Sequence, residues 1–190
     1  MSTPTPKTKR DGNAVSKRAY HDQNWYPSDL VPGDDRQTQF VDMSRAAFGM
    51  PGTYLWTRGL APCIGVAIYG VPTGAPTQGG KILGHVSGVN YQGQLTTIDT
   101  LATNNAHYLP NKVIYLILPD LRYPPREWST AMIGALQQMI NDVWNHFATR
   151  YPEATIRPEY HVVEYAGRNG EMVINYRNAI YIDGSQTCVN

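Results

Sequence analysis

Lys112 to Leu118 reads K-V-I-Y-L-I-L. After its first residue the run is apolar without a break, so both faces of a strand formed here would be apolar. It is far too short for a membrane helix, which needs roughly 18–20 apolar residues. It is the strongest strand in the chain, stopped by Pro119 and the Pro124–Pro125 pair. Cys63 to Tyr69, C-I-G-V-A-I-Y, is a continuous apolar run of strand length, rich in β-branched residues, and reads as buried on both faces. Between these runs, Gly70 to Gly80 (G-V-P-T-G-A-P-T-Q-G-G) is a loop by composition, since Gly and Pro break both regular structures. Lys81 to Val89 follows as a strand, so it and Cys63–Tyr69 are expected to pair as a hairpin with a long connection.

One strong helix is expected. Trp128, Met132, Leu136, Met139, Ile140, Val143, Trp144 and Phe147 recur at three- and four-residue spacing, with Gln137, Asn141 and Asn145 on the opposite face. Pro124 and Pro125 pre-set its start, Glu127 suits the helix dipole there, and Pro152 closes it. Gln39 to Phe48 reads as a short helix ended by Gly49. Tyr54–Trp56, Tyr160–Tyr165, Glu171–Tyr176 and Ala179–Ile182 read as further strands. The expected class is α+β: a mixed β-sandwich or sheet core flanked by one long amphipathic helix.

Residues 1–38 read as a polar, partly disordered tail, and 39–190 as the folded domain. Lys7, Lys9, Arg10, Lys17 and Arg18 face only Asp11 in the first twenty positions, a solvated arm. The whole chain carries 16 basic and 15 acidic side chains, a net charge of +1. That balance excludes a strongly basic nucleic-acid binder. No membrane span is expected, and MSTPTPKTKRDG lacks the apolar stretch of a secretory signal. The two cysteines, Cys63 and Cys188, form neither a disulfide framework nor a zinc set. A bridge between them and a free Cys63 are both open.

Cys63 stands where a Gly/Pro-containing turn, T-R-G-L-A-P, enters a buried strand. Such a position holds a nucleophile rigidly and leaves turn N–H groups to face an oxyanion. His85 lies in the neighbouring strand, in I-L-G-H-V-S-G. A Cys–His pair is the minimum set for thiolate chemistry, because imidazole takes the thiol proton and later protonates the leaving group. The alternative is a buried cysteine beside an incidental histidine. His107 is a weaker base candidate in a loop, and His146 reads as a surface residue of the helix. Asp99 and Asp120 are either histidine-orienting acids or turn residues. The G-x-x-x-x-G spacing in the 70–80 loop lacks the Lys-Ser/Thr of a phosphate loop.

Residues Thr57, Gly59, Leu60, Cys63, Ile64, Gly65 and Val66, followed by Gly84-His85-Val86, resemble the signature of the chemoreceptor glutamine deamidase (CheD) family. That family shares its fold with the catalytic domain of the cytotoxic necrotizing factor toxins. The signature reads approximately T-x-G-L-G-S-C-V-[AG]-V, and here Ala61 and Pro62 replace its Gly-Ser. Pro62 supplies no N–H, so the oxyanion donor is expected to be the Cys63 amide or a group from elsewhere. The resemblance covers roughly a fifth of the chain.

The resemblance implies Cys63 as nucleophile, His85 as base and Thr57 as the residue that orients His85. It implies a thiol-dependent deamidase converting a glutamine or asparagine side chain of a target protein to the acid. Transglutamination follows when an amine intercepts the thioester. No metal or organic cofactor is expected, and the expected partner is a protein presenting an exposed glutamine. The polar extension suits an effector or toxin, made in the cytoplasm and delivered to a host or rival cell without a classical signal. Two alternatives remain: a related cysteine amidase or peptidase, and a non-catalytic interaction module.

Overall fold

Strands that are apolar on both faces need two covers, and the chain supplies a second sheet on one side and two helices on the other. The computed structural model describes residues 38–73, 79–161, 163, 170–183 and 185–187. Among these, strands β1 (Thr38–Phe40), β3 (Tyr54–Arg58), β8 (Glu171–Ile174), β9 (Ile180–Ile182) and β10 (Ser185–Gln186) form one sheet in the order β1-β3-β8-β9-β10. Strands β2 (Ala46–Gly49), β5 (Lys81–Val86), β4 (Ile64–Tyr69), β6 (Val113–Pro119) and β7 (Thr155–His161) form the other, in the order β2-β5-β4-β6-β7. Helices α1 (Tyr91–Asn104) and α2 (Thr130–Arg150) lie on the outer face of this second sheet. The protein is α+β.

The central strands β4, β5 and β6 split their side chains by parity. Ile64, Val66, Ile68, Ile82, Val86, Ile114 and Leu116 meet Leu95, Ile98 and Ala102 of α1 and Met139, Val143 and Phe147 of α2. Cys63, Ala67, Leu83, Tyr115 and Ile117 instead meet Leu55, Met172 and Ile174 between the sheets. Two glycines allow the layers to approach. A Cβ on Gly84 would stand 2.6 Å from Ile98 Cδ1, and one on Gly65 would stand 2.7 Å from Met172 Sδ. The expected hairpin forms, with Gly65 opposite His85 and Tyr69 opposite Lys81. Residues 74–78 of its loop lie outside the described residues.

Four expectations need correction. Gln39–Phe48 is not a helix: Thr38–Phe40 pairs with β3, Ala46–Gly49 pairs with β5, and Ser44 between them has a positive φ of 61°, which ends any right-handed helix. A second helix exists, α1, that the sequence does not advertise, because its buried stripe is only Leu95, Ile98 and Ala102 among Thr, Gln and Asn. The long helix begins after Ser129, whose side chain accepts the Met132 N–H at 3.2 Å, so Glu127 precedes the first turn. Its buried stripe is Leu136, Met139, Val143 and Phe147, while Met132 and Trp144 lie at the exposed margin. The strand expected at Tyr160–Tyr165 begins earlier, at Thr155, and pairs in parallel with β6 up to His161, while 162, 164 and 165 lie outside the described residues. The tail expected at 1–38 lies outside the described residues up to 37, and Thr38 already belongs to β1.

Lys81 is fully buried at one end of the layer between the sheets. Its Nζ donates to the Thr53 carbonyl at 2.8 Å and the Asn175 carbonyl at 2.5 Å, which ties the β2–β3 turn to the β8–β9 turn. Burial pushes its ammonium down to about 7. A folded-state value below the unfolded one means that the unfolded chain holds more protons between about pH 7 and 10.5, so folding gains stability as pH rises through that window. Urea unfolding is therefore expected to show stability increasing by about 1 kcal/mol per pH unit between about pH 7 and 8.5, below the range in which the raised Cys63 thiol adds the opposite slope. Lys81→Met should lose that slope. Equal slopes in the two proteins would contradict the lowering of the Lys81 ammonium by burial.

Candidate functional site

The site forms where β3 of one sheet faces β4 and β5 of the other. Cys63 ends a short turn, 59–62, that begins at Gly59 (φ 79°) and includes a cis Ala61–Pro62 peptide. Its N–H donates to the Leu60 carbonyl, which closes the turn directly before β4. Cys63 is a free thiol, 4% exposed, packed in the layer between the sheets. Cys188 lies outside the described residues.

Strand register places His85 on that same layer. His85 stands opposite Gly65, and Cys63 is two residues before Gly65, so the two are diagonal neighbours on one face. Such neighbours lie roughly 7–8 Å apart, within reach of an aromatic ring and a long side chain. The space over Gly65 on this face is filled by Met172 Sδ and Leu60 Cδ1, which a Cβ there would meet at 2.7 and 3.1 Å. In the resting structure neither Cys63 Sγ nor His85 Nε2 makes a hydrogen bond among the described residues, and Nε2 is buried.

Thr57 determines what that nitrogen is. Thr57 is fully buried on β3, and its Oγ1 lies 2.6 Å from the Val41 carbonyl and 2.8 Å from His85 Nδ1. A hydroxyl has one proton, and only the carbonyl must receive it. Thr57 therefore donates to Val41 and accepts from His85 Nδ1–H. The neutral ring then carries its lone pair on Nε2. A valine at 57 could not do this. Thr57, His85 and Cys63, singled out in the sequence, thus share one interior layer.

Electrostatics set both members neutral at rest. Burial pushes the Cys63 thiol up to about 11. Burial pushes His85 down to about 4, against the upward pull of the Asp42 carboxylate; His161 pushes it further down, and the Gly59 carbonyl pulls it up. A preformed thiolate–imidazolium pair is therefore not the resting state.

Two further features bear on the site. His161, at the end of β7, was not a candidate in the sequence. It is 1% exposed, and its ring Nε2 lies 3.3 Å from the Cys63 carbonyl. Only the parallel pairing of β7 with β6, Pro119 opposite His161, brings residue 161 beside residue 63, and no local spacing signals that. The Cys63 amide, expected as an oxyanion donor, is already committed to Leu60.

The other candidates sit elsewhere. Asp99 lies in α1, where its carboxylate accepts the Tyr151 hydroxyl at 2.8 Å and stands 3.1 Å from His146 Nε2 of α2 without a hydrogen bond to it, remote from Cys63 in the fold. Asp120 is gripped by Arg122 through two hydrogen bonds of 2.8 Å, which hold its carboxyl below the usual range. Its backbone N–H donates to the His161 carbonyl. A cleft of about 380 Å³ opens beside it, lined by Leu121, Arg122, Gln137, Ile140 and Tyr160 among others, and Cys63 does not reach it. His107 lies in a 3-10 turn with its ring tilted at 47° against that of Tyr108.

Among the described residues no group of His, Cys, Asp and Glu could hold a metal ion, and no helix is long and apolar enough to cross a membrane. No protein-family model matches the chain, and no curated protein matches it.

The thiol's high value yields a direct expectation. Labelling of native Cys63 by iodoacetamide, followed by peptide mass mapping, should keep rising about tenfold per pH unit to near pH 10, where an ordinary cysteine levels off around pH 8.5. A plateau below pH 8 would mean that the resting pair is ionised.

Proposed function

We propose that this protein is a thiol-dependent deamidase acting on a glutamine or asparagine side chain of a target protein, in the manner of the chemoreceptor deamidases whose motif it resembles. One observation carries the reading. The Thr57–His85 hydrogen bond leaves an unpartnered, buried imidazole lone pair on the layer that holds a free cysteine.

The chemistry starts from neutral partners. As Cys63 Sγ attacks the carboxamide carbon, its proton passes to His85 Nε2, so His85 is a general base at the moment of attack. The imidazolium is short-lived. Thr57 accepts from Nδ1–H, and the Asp42 carboxylate and Gly59 carbonyl favour the charged ring. The imidazolium gives its proton to the departing nitrogen, ammonia leaves, and a thioester forms on Cys63. His85 then takes a proton from water, whose oxygen displaces the thiolate; acid and free thiol result. An amine in place of water gives transglutamination. The Cys63 N–H does not serve the oxyanion while it donates to Leu60.

The 4% exposure of Cys63 favours one second reading: a non-catalytic interaction module in which this thiol is a core side chain. The two separate cleanly. With casein as a generic glutamine donor, the deamidase reading expects ammonia release and a mass gain of about one dalton per event on an uncut chain. Cys63→Ala should abolish release. Thr57→Val, which frees the ring to take the wrong tautomer, should lower it at least about tenfold. Cleaved casein would instead indicate a peptidase. Folded wild type without release, and a Cys63→Ser variant that keeps whatever binding the wild type has, would establish the module.

A further inference from the structure

The Cys63 carbonyl lacks its strand partner. The His85 N–H donates to the Arg45 carbonyl, so the peptide groups of His85 face β2, those of Gly65 opposite it face β6, and Cys63, two residues earlier, faces β6 as well. Two residues beyond the last β4–β6 pair, Gly65 opposite Ile117, Cys63 would stand against Pro119, which has no N–H. A buried carbonyl left without a donor costs free energy comparable to a lost hydrogen bond.

The imidazole of His161 supplies the missing donor. Residue 161 stands beside Pro119 in the β6–β7 ladder, and its Nε2 reaches the Cys63 carbonyl at 3.3 Å. A carbonyl can only accept, so the bond defines His161 as the Nε2–H form. Its own backbone is fixed as well, since the His161 carbonyl accepts the Asp120 N–H at 2.9 Å. On the other side of Cys63, the N–H is held by Leu60. Both peptide groups flanking the Cys63 Cα are therefore anchored, and with them the direction of its Cα–Cβ bond.

We propose that His161 is a positioning residue for the nucleophile: its ring replaces a strand donor that Pro119 cannot provide, and so aims the Cys63 thiol along the face that His85 occupies. The inference rests on the deamidase reading for its consequence, though not for the hydrogen bond. The role falls to a histidine that needs no contact with substrate. A side chain that ends in an N–H at the same reach can replace it, and one without a donor cannot.

The test compares His161→Gln, whose amide N–H ends near the position of Nε2, with His161→Leu, which has similar bulk and no donor. Ammonia release from casein by the full chain should fall in kcat about 10–100-fold for His161→Leu, with KM within about twofold, because an aimed nucleophile affects the chemical step. His161→Gln should keep kcat within about threefold. Unchanged kcat in folded His161→Leu, or equal losses in both variants, would overturn the proposal. Where His161→Leu does not fold, His161→Asn, whose amide stops short of the carbonyl, takes its place with the same expectation. The hydrogen bond is read separately in protein labelled with carbonyl-13C cysteine, the Cys63 signal being the one lost in Cys63→Ala. It should shift in His161→Leu and stay in place in His161→Gln. A wild type that releases no ammonia sinks the deamidase reading alone. A Cys63 carbonyl signal that does not move in His161→Leu overturns the positioning role whatever the activity.

Discussion

The hydrogen bond from His85 Nδ1–H to Thr57 Oγ1 is the joint on which the site depends. It crosses from the sheet that carries Thr57 to the sheet that carries His85, in a layer from which water is excluded. The threonine proton is spent on the Val41 carbonyl, so the bond has one polarity, and that polarity sets the histidine tautomer. A single hydroxyl thereby links the packing of two sheets to the position of one lone pair. Val41 is itself placed by its N–H bond to the Trp56 carbonyl, so the local backbone fixes the acceptor as firmly as the donor.

The same interior layer serves opposite ends. Near His85 it holds a thiol and an imidazole whose burial moves both away from ionisation, so both stay neutral at rest. At the far end of β5, Lys81 is buried just as deeply, but its Nζ is committed to two backbone carbonyls and knits turns together. Three alternating residues of one strand, Lys81, Leu83 and His85, thus place a clamp, an apolar spacer and an imidazole on one face. What separates His85 from Lys81 is an unpartnered ring nitrogen, not depth of burial.

The legible part of this fold was the part governed by local periodicity. The runs at Cys63–Tyr69 and Lys112–Leu118 were apolar on both faces, and they are central strands with cover on both. The shared face of Cys63 and His85 was legible because a hairpin needs only adjacency and register, though no hydrogen bond joins them, and the Thr57 position came with the resemblance to the deamidase motif. Helix α1 was not legible: three buried side chains among threonines and amides give too thin a stripe, and it is held by packing on Gly84 rather than by propensity. Gln39–Phe48 misled because six apolar residues in ten fit a helix as readily as two short strands, and Ser44 carries the break in its backbone rather than in its residue type. His161 was invisible for a different reason. It meets Cys63 across a parallel pairing 98 residues away in sequence, which no spacing encodes.

Long-range proton–nitrogen correlation on the ring of His85 in the full-length protein tests the central claim most directly. The account predicts a neutral ring at pH 7, protonated on Nδ1, with Nε2 showing the shift of an unprotonated nitrogen, and loss of that preference in Thr57→Val. A ring protonated on Nε2 would leave no base facing Cys63 and would contradict the account.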